Sequence, residues 1–148
     1  MTDTMPLRSP LFATPEDAER AFYEALEQGD VDALMAVWAE DEDILCVHPT
    51  GVRVNGFEPI RESWRSIFSA TKLRAAPEHQ AHWQGMLMAV HHLEEMLFLD
   101  DDAMPHGPLH VTHVYSRGAQ GWRLVSRHAS TAGDPANAPP DGGPRTLH

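Results

Sequence analysis

A chain of 148 residues with one cysteine is the size of a single domain, and it lacks the thiols for a disulfide framework or a cysteine zinc cluster. Its 22 acidic and 11 basic side chains give a net charge of −11, which opposes binding to nucleic acid or to anionic membranes. No apolar run approaches the ~18–20 residues that span a bilayer. The N-terminus lacks the apolar stretch of a secretory leader, so a cytoplasmic location is expected. The ten histidines are the unusual feature of the composition.

Residues 1–13 have no periodicity and are expected to be a flexible tail. Residues 131–148 are rich in Pro, Gly, Ala and Asp and are expected to be a second, disordered tail. The domain is then 14–130. Thr14, Pro15, Glu16 and Asp17 read as a helix start, and Ala18, Phe22, Ala25 and Leu26 fall on one face behind it. Gly29 stops this helix. Asp30 caps a second, short helix with Val31, Leu34, Val37 and Trp38 on one face. Ile44 to His48 reads as a buried strand, and Pro49-Thr50-Gly51 turns it into a short return over Val52–Val54. A third helix follows from about Phe57 to Ser69, with Ile60, Trp64, Ile67 and Phe68 as its apolar stripe.

Beyond Pro77 the period changes to two. His79–Trp83, Met86–Leu99, Leu109–Arg117 and Trp122–Ser130 read as four strands, the last two joined by a turn at Gly118–Gly121. Helices first and a strand meander afterwards predict an α+β fold with helices on one side of an antiparallel sheet.

Three segments resemble the nuclear transport factor 2-like superfamily, which includes SnoaL-like cyclases and ketosteroid isomerases. They are Gly29-Asp30-Val31-Asp32-Ala33-Leu34 to Asp41, Val47-His48-Pro49-Thr50-Gly51 to Phe68, and Gly121-Trp122-Arg123-Leu124-Val125 to Ser130. The resemblance implies a cone: three N-terminal helices covering a strongly curved antiparallel sheet, with an internal cavity. It also implies a homodimer through the outer sheet face. Ketosteroid isomerases place a base just before the proline of the first strand, and His48 holds that position here. Their first-helix Tyr corresponds to Phe22, with Tyr23 one residue on. Their later-strand Asp has no counterpart in Leu109–Arg117, so two of the three isomerase groups are missing.

The candidate catalytic residues are His48 and His128. Strand alternation puts His48 on the side of Cys46, and an imidazole is a suitable base near neutral pH. Trp38, Trp64, Phe68, His113 and Tyr115 are the candidate lining of a pocket for a small apolar or mixed-polarity organic ligand. On the last strand, Trp122, Leu124, Ser126, His128 and Ser130 share one face by alternation, and Arg123, Val125 and Arg127 the other. The pairs His79/His82, His91/His92 and His110/His113 each alternate to opposite faces, so none is expected to share an ion. No metal and no cofactor is expected. Two functions stay open: a SnoaL-like binding domain performing proton transfer with His48 as base, and a non-catalytic ligand-binding or dimerisation module.

Overall fold

The computed structural model describes residues 10–131. Most of both expected tails lies outside that range. Residues 10–13 are a correction, because they are docked onto the domain. Phe12 is buried, its carbonyl accepts from the Trp122 amide at 2.9 Å, and the Pro10 carbonyl accepts from Arg123 at 2.6 Å. One aromatic in an aperiodic stretch gives no sequence signal of docking.

Helix α1 spans Pro15–Gln28. Thr14 Oγ1 accepts the Asp17 amide at 3.0 Å, and Gly29 ends the helix at φ 64°. Helix α2, Val31–Met35, starts on the Asp30 carboxylate and stops before Val37 and Trp38. Val37 is buried from the turn that follows the helix, and Trp38 from a bridge to Leu124. Helix α3, Phe57–Ala70, buries Ile60 and Trp64 as its stripe predicts.

The strands are β1 Leu45–Val47, β2 Arg53–Asn55, β3 Leu73–Gln84, β4 Met88–Leu99, β5 His106–Gly118 and β6 Gly121–Thr131. They form one six-stranded sheet in the order β2-β1-β6-β5-β4-β3. All neighbours are antiparallel except β1 and β6, which run parallel. Strand β3 begins at Leu73, earlier than the period-two pattern suggests. It carries Pro77 internally, which an edge strand tolerates because one side of its ladder is unpaired.

Register shifts at His79/Ala81, Glu95/Leu97 and Val114/Tyr115 bend the long strands, giving a curved, unclosed sheet with the helices on its concave side. The α+β architecture is as expected. Apolar side chains of α1, α2, α3 and the inner sheet face form the main core, and Leu93, Leu109, Val111 and Ala129 form a second cluster. No described helix is long and apolar enough to cross a membrane.

Candidate functional site

One row of paired residues crosses the sheet: Val54, Cys46, Arg127, His113, His91 and His82, from β2 to β3. Cys46, Arg127, His113 and His91 are all buried against the helices. Two buried carboxylates complete the polar interior, Glu95 from β4 and Glu19 from α1.

Arg127 donates to both oxygens of Glu95, at 2.8 and 3.0 Å. This fork geometry is the strongest form of such a pair. Tyr23 OH also donates to Glu95. Burial raises the Glu95 pKa, but the Arg127 charge and hydrogen bonds outweigh it and hold the carboxyl below its usual range. Arg127 also donates to His113 Nε2 at 2.8 Å. A guanidinium has no acceptor, so Nε2 carries the lone pair and Nδ1 the proton. That Nδ1–H faces Tyr115 Oη at 3.0 Å. His113 is therefore neutral: burial, opposed by Glu19 and assisted by the Arg127 charge, pushes it down to about 4.

Glu19 accepts from His79 and from His91 Nδ1, the latter at 3.0 Å. Burial opposes its ionisation, yet His113, with Nδ1 3.6 Å away, and the hydrogen bonds from His91 and His79 hold its carboxyl far below the usual range.

His48 is buried at the other end of the row, edge-on to Trp64 with ring centroids 5.1 Å apart. Its backbone closes the turn at Gly51, and its Nε2 lies 3.0 Å from Ser63 Oγ. Ser63 spends its own proton on the Ile60 carbonyl at 2.8 Å. The His48 proton is thus on Nε2, and Nδ1 is the basic atom. Burial, and then the Arg127 charge, lower its pKa below 6.5. A folded pKa below the unfolded one gives stability that is complete above pH 6.5 and declines as pH falls through the folded value. We expect nitrogen-detected NMR to find His48 neutral with the proton on Nε2 at pH 7. A ring that protonates above pH 6.5 would contradict this placement.

The expected site residues divide. His48, His113, Tyr115, Trp64 and Trp38 are buried, and Phe68 is half-buried beside Trp64. His128 is exposed, on the outer face with its partner Thr112. The reason is a bulge: Ser126 pairs with Val114 and Leu124 with Tyr115, leaving Val125 as the extra residue. Strict alternation fails there, so Arg127 points inward and His128 outward. Tyr23 also faces the interior, where its hydroxyl reaches Glu95.

Sequence reasoning missed Glu19, Glu95, Arg127, His79 and His91. One signal was present. Glu19 sits between Ala18 and Phe22 in the apolar stripe of α1, where a charge needs a buried partner.

The sequence matches the SnoaL-like domain model over residues 16–134. A solved structure from Thiobacillus denitrificans is 37% identical, with a TM-score of 0.79 over 84% of this chain and 99% of that one. It carries the provisional name of a calcium/calmodulin-dependent protein kinase type II association domain. A provisionally named dehydratase of the nuclear transport factor 2-like family from Streptomyces avermitilis is 25% identical, with a TM-score of 0.67 over 79% of this chain and 92% of that one. A protein of unknown function from Pseudomonas putida shares the fold at 18% identity and a TM-score of 0.70, over 87% and 93% of the two chains. No curated protein matches this sequence. The extent of the domain match and the identity to the Thiobacillus protein agree with the cone built above: the chain belongs to the SnoaL-like domain family of the nuclear transport factor 2-like superfamily.

Proposed function

We propose that this chain is a self-associating module that pairs with a second copy through the outer face of its sheet. The observation that carries this reading is the interior. Arg127, Glu95, Tyr23, His113 and Tyr115 already satisfy one another, so the charge at the centre of the cone has no unmet partner for a substrate to supply.

The outer face supports the reading. Val90, His92, Thr112, Val114, Ser126 and His128 form a patch across β4, β5 and β6 with no Asp, Glu, Lys or Arg among them. Depletion of charge is the mark of an interface centre. At one end of it Trp83, Met86, Leu87 and Met88 are exposed together around the β3–β4 connection, a surface that isolated soluble domains rarely leave uncovered. The name of the Thiobacillus relative, an association domain, points the same way.

Sedimentation equilibrium of the full chain tests the proposal. It is expected to give twice the chain mass at micromolar concentration. A chain that stays monomeric at 100-fold higher concentration would overturn it.

A second reading keeps one specific support. His48 offers a neutral imidazole with a basic Nδ1, and the buried Trp64 indole N–H beside it has no hydrogen-bond partner. A base next to an unused donor suits proton transfer on a small organic ligand. Under this reading His48→Gln abolishes turnover while the variant stays folded.

A further inference from the structure

We propose that Glu19, His79 and His91 bind one divalent transition-metal ion of the zinc class, with the Glu16 carboxylate at the rim. This site is independent of the self-association argued above.

The three residues come from three elements, α1, β3 and β4, and offer donor atoms that all lie within 4.8 Å of one another. Tetrahedral bonds of about 2.1 Å separate ligand atoms by about 3.4 Å, a spacing of the same order as that of this cluster. Two features set it apart from an ordinary carboxylate–histidine contact. His91 is 1% exposed, yet its Nε2 has no hydrogen-bond partner, and it lies 3.3 Å from Glu16 Oε2. Its other nitrogen faces Glu19 at 3.0 Å. A buried imidazole is therefore presented between two carboxylates, with its second nitrogen in ionic reach of Glu16 but without a hydrogen bond.

The second feature is access. His79 is half-exposed, and it opens with Glu19, Glu16 and Tyr23 onto a cleft of about 420 Å³. An ion can enter there.

The bulge between His79 and Ala81 builds the cluster. It cancels the alternation that would separate His79 from His82, and brings both rings to His91, with centroids 5.5 and 6.2 Å from it. His82 is thus in place as a supporting imidazole. Two imidazoles and a carboxylate suit zinc, cobalt or nickel, and are a poor set for calcium or magnesium, which prefer all-oxygen shells.

The test is calorimetric titration of the chelator-stripped, tag-free full chain with zinc, paired with cobalt absorption spectroscopy. One ion per chain is expected, with the visible bands of cobalt in a nitrogen and oxygen site. Because His79 is half-exposed, His79→Ala is expected to stay folded and to weaken binding at least tenfold. Glu19→Gln is expected to weaken it too, and the exposed His110→Ala to leave it unchanged. No bound zinc, or equal losses in His79→Ala and His110→Ala, would overturn the proposal.

Discussion

Replacing Arg127 with Met is expected to destabilise the fold by about 3–5 kcal/mol, because Glu95 would be left buried without its counter-charge. The carboxylate is fully buried and takes three of its hydrogen bonds from Arg127 and Tyr23. His113 would lose its donor at Nε2 in the same step. Glu95→Leu alone is expected to cost a similar amount for the opposite reason, an uncompensated guanidinium packed on Phe22 and Trp64. The double variant is expected to recover most of the loss, because desolvating neither charge offsets giving up the pair. Urea unfolding of the two single variants and the double variant measures the cycle. If each single change cost under about 1 kcal/mol, the pair would behave like an exposed ion pair, and the buried, paired charge described here would be wrong.

The second large effect concerns the outer face. Val114 sits at its centre, half-buried, opposite Val90 and Ser126. Val114→Glu puts one carboxylate from each copy into the middle of a face whose neighbours carry no charge. Like charges brought together in a desolvated interface are repelled strongly, and central positions dominate binding energy. We expect the dimer constant to weaken by at least about 100-fold, roughly 2.7 kcal/mol. Circular dichroism is expected to be unchanged, since the side chain points away from the helices. A Val114→Glu variant that sedimented as the wild-type dimer would place the interface elsewhere.

The fold was legible wherever one period ran without interruption. The stripe of α3 and the capped start of α1 appear as the spacing predicts. So does the β5–β6 hairpin, although its loop is only Ala119-Gln120 because Gly118 and Gly121 pair. The candidate site was legible where alternation held, as at His113 and Tyr115, and was lost where a bulge intervened. A single extra residue at Val125 exchanges the faces of Arg127 and His128, and the shift after His79 brings His79 and His82 to one face. Bulges depend on how neighbouring strands twist and pair, so local alternation cannot place them. Glu19 and Glu95 were hidden for a different cause. A charge is read as solvated unless its partner is known, and Arg127 and His91 lie 32 and 72 residues away from the carboxylates they meet. The helix cap at Thr14 needed only four residues of sequence; the interior network needed the whole sheet.

A crystal structure of the purified full chain is the most direct test of the central claim, that the buried charge at the centre of the sheet is paired within the chain while the outer face associates. The account predicts two copies packed through β4, β5 and β6, with Val114 buried between them. It also predicts the Arg127–Glu95 fork intact and no organic density beside His48. An outer face left open to solvent, with a small molecule bound between His48 and Trp64, would contradict it and make the proton-transfer reading the correct one.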